Sequence, residues 1–136
     1  MRQHIVLHVH LKNEAQLKDY KFFCFNGRVQ LFKIDFDRYV NHRANYYSSN
    51  GELVEIGEVV CPPDYYREIH LPDSLSEMVA LAENLAENVP FLRVDFYLCN
   101  KNCYFGELTF FPASGFGRFV DEKTDLNMGM LLNVSK

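Results

Sequence analysis

The sequence predicts an α+β fold in which a mainly antiparallel sheet carries one principal amphipathic helix. Aromatic residues make up 15% of the 136 residues, with 12 Phe and 8 Tyr, and such residues favour strands. Asn26-Gly27 lies between two aromatic-rich runs, which is the strongest short-range signal for a β-hairpin. Apolar residues recur at helical spacing after Ser74, which indicates a helix that packs on the sheet.

Length and composition indicate a single domain, residues 1–136, with a real hydrophobic core. The chain is 48% hydrophobic and 24% charged, well outside the disordered range. A formal net charge of −4 argues against a nucleic-acid partner, which would normally require a basic excess. No apolar run approaches the roughly 18 residues of a membrane span, and the start does not resemble a signal peptide. The expected location is therefore the cytoplasm.

The four cysteines do not form a convincing framework. A zinc site would need two closely spaced pairs, and Cys24 and Cys61 are too scattered to supply the second pair. Cys99 and Cys103 flank a turn, so a labile disulfide between them is one alternative. Reduced cysteines serving as small apolar residues are the favoured interpretation in a cytosolic chain.

The elements follow in order along the chain. The segment Ile5–Val9 predicts a short strand, and Asp19–Asp37 predicts the hairpin around Asn26-Gly27. Residues 41–73 are polar and include paired prolines, so an irregular excursion is expected, with some strand around Leu53–Ile56.

A helix is expected over Leu75–Glu87. Ser74 and Glu77 have the spacing of a capping box, and Pro90 follows the end of the helix. The apolar face of this helix comprises Leu75, Met78, Val79, Leu81, Ala82, Leu85 and Ala86. Two further strands, Phe91–Leu98 and Cys103–Phe111, complete the predicted sheet.

These last two strands bring a pair of acids together. Alternation places the apolar residues of both strands on one face, and burying them together fixes the register. A three-residue loop, 100–102, gives that register if its asparagines adopt the left-handed conformation. Asp95 then lies opposite Glu107, and Arg93 lies opposite Thr109.

Two carboxylates in facing positions repel each other by up to roughly 1 kcal/mol on an exposed sheet. One interpretation is a solvated face on which Arg93 neutralises Asp95 and Glu107, and spacing alone favours it. The other is a Mg²⁺ or Mn²⁺ ion held by both acids, with Thr109 as a weak oxygen ligand.

The loop after the second acid strand favours the metal interpretation. It contains Ser114, Gly115 and Gly117, whose backbone N–H groups could bind an anion. Such a loop beside two metal-type acids is expected where a phosphate and a carboxylate meet.

Three ordered blocks, "DYKFFCFNG", "PFLRVDFY" and "YFGELTFFPASGFGRF", resemble the C-terminal part of an ATP-grasp family. This family occurs in teichuronopeptide and cell-surface polysaccharide biosynthesis, and the resemblance runs from Leu17 to Leu132. It implies a Mg·ATP-dependent ligase that joins a carboxylate to an amine through an acyl-phosphate. ATP and a carboxylate substrate are the implied partners.

The resemblance also implies residue roles. Asp95 and Glu107 match the acids that hold the metal against the ATP phosphates, and Thr109 stands where many relatives have Asn. Lys21 matches a basic position that faces the phosphates. Arg38 and Arg43 lie where further phosphate or substrate contacts are implied, and Lys21 and Arg43 are the implied catalytic residues. Ser114 and Gly115 resemble the loop that receives the acceptor substrate.

Upstream strands that would supply the other half of the nucleotide cleft are not evident before Asp19. The expectation is a C-terminal ATP-grasp subdomain without its N-terminal lobe, with weak or no ATP binding alone. A truncated reading frame, a degenerate relative and a domain completed by a second chain or copy are the three alternatives. Whether this chain is an enzyme by itself therefore stays open. A non-catalytic binding or assembly module is one alternative, and a metal-dependent phosphohydrolase is a less favoured one.

Overall fold

A computed structural model describes residues 4–6, 18–36, 41–99 and 102–110. Within these ranges it has one helix and seven strands. The bounds are β1 His4–Val6, β2 Lys18–Phe25, β3 Arg28–Phe36, β4 Arg43–Ser48, β5 Leu53–Val54, α1 Leu75–Leu85, β6 Phe91–Cys99 and β7 Asn102–Thr109. The strand order is β1-β7-β6-β2-β3-β4-β5, and every neighbouring pair is antiparallel. The predicted α+β class with a mainly antiparallel sheet is confirmed.

The hairpin of β2 and β3 turns at Asn26-Gly27, as predicted. Both residues have positive φ, 51° for Asn26 and 82° for Gly27. A two-residue hairpin turn needs this left-handed backbone, which asparagine and glycine adopt at the lowest cost.

One face of the sheet packs against α1 and carries the main core. The buried members of this core are Tyr20, Phe22, Cys24, Val29, Phe32, Ile34, Phe36, Tyr47, Met78, Ala82, Ala86, Leu92, Val94 and Phe96. The phenyl rings of Phe22 and Phe32 stack with centroids 5.1 Å apart, which ties β2 to β3 on this face.

The helix agrees with its prediction in position but not in every detail. Met78 and Ala82 are buried, whereas Leu81 and Leu85 are 49% and 46% exposed, so the predicted apolar face was too wide. The capping box was also wrong. Ser74 occupies the N-cap position, but its side chain makes no capping hydrogen bond.

The segment 41–73 is more regular at its start than predicted. Arg43–Ser48 forms β4, which pairs with β3 and was missed, because its polar residues conceal a strand whose tyrosines are buried. The predicted strand around Leu53–Ile56 is confirmed only as the two residues of β5.

The hairpin of β6 and β7 has the predicted Asp95–Glu107 pairing, but its connection and its register near the turn differ from the prediction. Cys99 pairs with Asn102, so the connection is one residue shorter than the predicted loop. The register then shifts between Asp95 and Phe96, where a bulge at Gly106 restores the expected alignment. Arg93 lies opposite Thr109, as predicted.

The N-terminal strand is confirmed in part. β1 pairs with β7, with Ile5 opposite Leu108. The remainder of the predicted Ile5–Val9 strand lies outside the described residues. The disulfide alternative is not supported, because Cys103 is a free thiol and lies opposite Leu98.

Candidate metal and phosphate site

The face of the sheet away from α1 is divided into two halves of different character. One half is a small apolar cluster of Phe23, Phe25, Leu31, Tyr46 and Phe91. The other half, which we call the charged half-face, consists of Asp19, Lys21, Lys33, Asp35, Arg93, Asp95 and Glu107. Residues two positions apart on a strand point to the same face of the sheet, so alternation along the strands places all of these side chains on the face away from α1.

The antiparallel register lines up one row of this face across five strands. Glu107 lies opposite Asp95, Asp95 opposite Lys21, Lys21 opposite Lys33, and Lys33 opposite Tyr46. The two acids and the lysine singled out from the sequence are therefore consecutive members of one cross-strand row. Side chains in directly facing positions lie close enough to interact.

Arg93 contacts both acids of the row. Its Nε donates to Asp95 Oδ1 and its Nη2 donates to Asp95 Oδ2, each at 2.8 Å. The same Nη2 lies 3.8 Å from Glu107 Oε2. The predicted contact of Arg93 with both acids is therefore confirmed, but the solvated face expected with it is wrong at this position, because Asp95 is buried.

Ionisation of the Asp95 carboxyl group is nevertheless less favourable than usual. Asp95 is 3% exposed, and burial raises its pKa to about 6, although Arg93 and Lys21 offset part of that rise. Glu107 is less buried, with 27% of its side chain exposed. A further positive charge at this position would lower the energy of the ionised pair.

Lys21 lies among acids and is itself well buried. Its Nζ forms ion pairs with Asp19 and, at 2.6 Å, with Asp35 Oδ2. Burial alone would lower the pKa of Lys21, but Asp19, Asp35 and Asp95 outweigh it and raise that pKa. The lysine is therefore a permanent cation at neutral pH.

A second lysine extends the network towards β4. Lys33 Nζ donates to Glu58 Oε2 at 2.9 Å and lies 3.8 Å from Asp35 Oδ1. Burial opposes ionisation of Asp35, but Lys21, Lys33 and His42 prevail and lower its pKa. Asp19, Lys33, Asp35 and Glu58 were not identified as site residues from the sequence, because only the pairing of distant strands brings them together.

Thr109 provides a test of whether this site suits a metal. It is 1% exposed, and its Oγ1 has no hydrogen-bond partner among the described residues. Buried hydroxyls normally have a partner. Two carboxylates and a free hydroxyl oxygen on the same face are the hard ligands that Mg²⁺ or Mn²⁺ prefers, so the donor set fits such an ion.

The structure does not bring every proposed site residue to this face. Arg43 pairs with Phe36, a core residue, and therefore lies on the side of the sheet that carries α1. Its Nη1 donates to the Pro63 carbonyl at 3.4 Å. The predicted contacts Arg38, Ser114 and Gly115 lie outside the described residues.

A family model described as TupA-like ATP-grasp matches residues 1–133 of this chain. The match spans almost the whole sequence, so the chain belongs to the TupA-like ATP-grasp family. No curated protein and no solved structure matches it.

In the part of the chain that the structure describes, no helix has the length and apolar character required to cross a membrane.

Proposed function

We propose that this chain contributes the metal-binding and phosphate-binding face of an ATP-dependent carboxylate–amine ligase that works through an acyl-phosphate. The observation that carries the proposal is the row in which Glu107, Asp95 and Lys21 lie opposite one another on adjacent strands. Membership of an ATP-grasp family supports the same chemistry. The proposed setting is cytoplasmic synthesis of a cell-surface polysaccharide or peptide polymer, as the sequence resemblance implies.

In this proposal Asp95 and Glu107 hold Mg²⁺ or Mn²⁺, and Thr109 supplies a weaker oxygen ligand. The ion would screen the phosphate charges of ATP as a substrate carboxylate attacks. Burial of Asp95 at 3% exposure keeps water from competing for its oxygens. A low-dielectric surrounding strengthens such electrostatic interactions, which are usually the largest contribution to this kind of catalysis.

Lys21 is proposed to orient a phosphate. It remains protonated, since Asp19 and Asp35 raise its pKa, and it sits directly beside the acid pair in the row. Arg38, Ser114 and Gly115 remain proposed phosphate or substrate contacts. Arg43 is given no role at the metal because it lies on the other side of the sheet.

The proposal is tested by alanine substitution of Asp95 or Glu107 in the full-length protein, with Mg²⁺-dependent ATP turnover as the readout. Loss of a group that stabilises developing charge lowers turnover by about a hundredfold or more. Glu87→Ala, at an exposed position beyond α1, is the matched control and should retain full turnover. Wild-type turnover in the Asp95 and Glu107 variants would reject the assignment.

A second candidate is a non-catalytic binding or assembly module that keeps the fold. The contact of Arg93 with both acids favours it, because the arginine already offsets one of their two negative charges without a metal. The two candidates differ in Mn²⁺ binding. A ligase face should show Mn²⁺ bound to the acid pair by electron paramagnetic resonance, and the module should show none.

A further inference from the structure

Three side chains that the proposed ligase chemistry does not use as ligands meet at the edge of the charged half-face, to which one of them belongs. They are Asp35, His42 and Cys61, and their ligand atoms all lie within 4.8 Å of one another. His42 Nε2 lies 2.9 Å from Asp35 Oδ1 and 3.9 Å from Cys61 Sγ. No other cluster of this kind occurs among the described residues.

The backbone around this cluster is fixed by the fold. Asp35 belongs to β3, and His42 immediately precedes β4. The loop that carries Cys61 is fastened to β4 by two hydrogen bonds between Asn45 and Asp64: Asn45 Nδ2 donates to the Asp64 carbonyl at 2.7 Å, and the Asp64 N–H donates to Asn45 Oδ1 at 2.9 Å. The three ligand atoms therefore converge through tertiary structure and not through a local sequence motif.

The distances suit tetrahedral coordination. Zinc bonds of about 2.3 Å to sulfur and about 2.0–2.2 Å to nitrogen and oxygen imply ligand separations of roughly 3.3–3.6 Å. The observed separations from His42 Nε2 lie on either side of this range, and all three ligand atoms lie within 4.8 Å of one another, so side-chain rotations would bring them into it. His42 and Cys61 are partly exposed, which leaves a fourth position open to water.

The surrounding charges also favour a divalent cation. Lys21 and Lys33 both approach Asp35, but each has a carboxylate of its own, Asp19 and Glu58 respectively. The three carboxylates and two lysines together carry one net negative charge. Coordination of Cys61 as a thiolate, with its proton released to solvent, adds a second negative charge. A dication would balance these two negative charges.

We propose that Asp35, His42 and Cys61 form a second metal site, separate from the Asp95–Glu107 pair, that binds Zn²⁺. A carboxylate, an imidazole and a thiolate are the donors zinc takes in sites with three protein ligands and one open position. The thiolate distinguishes this site from the oxygen-only site, which suits Mg²⁺ or Mn²⁺. The ion would connect β3, the start of β4 and the loop at Cys61.

The test uses Co²⁺ as a spectroscopic substitute for zinc in the full chain, freed of metal and kept reduced. One equivalent of Co²⁺ should produce a thiolate-to-cobalt charge-transfer band that Zn²⁺ then abolishes. Cys61→Ser should remove the band, and His42→Ala should weaken Co²⁺ binding by about tenfold or more. Both positions are partly exposed, and circular dichroism checks that each variant is folded.

Cys103→Ser is the matched control, since Cys103 is also a free thiol but lies in β7, and it should keep the band. Absence of the band in the wild-type chain, or its persistence in Cys61→Ser, would overturn the proposal. So would rapid alkylation of Cys61 without metal binding. That result would indicate a reactive thiol polarised by His42, whose Nδ1 lies 3.3 Å from Cys61 Sγ.

Discussion

At the scale of single residues, Arg93 and the proposed divalent cation would compete for the same two carboxylates. The guanidinium donates to both oxygens of Asp95 and approaches Glu107. A metal placed between the acids must share Asp95 with this arginine or displace it. The affinity of the site for metal therefore depends on how readily Arg93 gives up its two hydrogen bonds.

The raised pKa of Asp95 leads to a prediction for stability in metal-free buffer. Because the folded-state pKa is about 6, above the ordinary 3.8, ionisation is less favourable in the folded chain. The contribution of Asp95 to stability is therefore fully present below pH 4 and is lost as the pH rises through 6. Relative to wild type, Asp95→Asn should gain roughly 2–3 kcal/mol between pH 4 and pH 7. Urea unfolding with a chelator measures it, and a difference that is the same at both pH values would contradict it.

Lys21 gives a second prediction at this scale. Lys21→Met leaves Asp19 and Asp35 buried without their main cation, and breaking a buried ion pair typically costs about 3–5 kcal/mol. Lys18→Met is the matched control on the same strand, because Lys18 is exposed and should change stability by less than about 0.5 kcal/mol. Equal effects of the two substitutions on the unfolding free energy would contradict the buried network.

At the scale of elements, the bulge at Gly106 determines which residues face each other. The Tyr97 ring covers Gly106, and an added Cβ would collide with that ring, including Cδ2 at 2.9 Å, and approach the Asp95 carbonyl oxygen at 3.3 Å. A side chain at position 106 therefore fits the Asp95–Glu107 pairing only if the Tyr97 ring moves.

Gly106→Ala should accordingly destabilise the chain by about 1–3 kcal/mol, the usual cost of inserting an extra group into a packed site. Adding Tyr97→Ala makes room for the new methyl, so the cost of Gly106→Ala should be smaller in the Tyr97→Ala background. A double-mutant cycle of unfolding free energies measures this coupling. Strict additivity of the two substitutions would show that the ring does not constrain Gly106.

Elements with strong local signals were predictable from the sequence. Asn26-Gly27 identifies its hairpin because few other pairs tolerate positive φ at both turn positions. β4 was missed because its sequence is polar, and the burial of its tyrosines becomes evident only from its pairing with β3. The short connection after Cys99 and the bulge at Gly106 compensate for each other, so the Asp95–Glu107 register could be predicted correctly from the wrong loop length.

The candidate site was predictable only in part, for a related reason. The acid pair lies within one hairpin, so the alternation of apolar residues along its two strands was sufficient to align it, although the predicted turn length was wrong. The position of Lys21 opposite Asp95 depends on pairing between β2 and β6, which are far apart in sequence. The cluster of Asp35, His42 and Cys61 combines three residue types without a repeated spacing, and a search for paired cysteines passes over it.

At the scale of the whole molecule, the strand order places β2 and β6 side by side near the middle of the sheet. The apolar cluster and the charged half-face then share one surface, opposite α1. Metal binding at the acid pair should therefore stabilise the entire domain, because the ligands belong to strands that the core also joins.

Mn²⁺ is expected to raise the melting temperature of the wild-type chain. Binding at a hundred times the dissociation constant adds about 2.7 kcal/mol to stability. Glu107→Gln should abolish the rise, whereas the same substitution at exposed Glu87 should leave it intact. Cys61→Ser should also retain it, since Mn²⁺ prefers oxygen ligands. A rise that survives Glu107→Gln would place the ion elsewhere.

The late position of β6 in the chain has a consequence for biosynthesis. During translation, Lys21 on β2 leaves the ribosome long before Asp95 on β6, so these two facing residues are present together only after most of the described strands have been made. Joining such distant segments is entropically slow. Binding of a metal ion at the proposed Asp95–Glu107 site should consequently begin only after synthesis has passed β7, because both acids must be present.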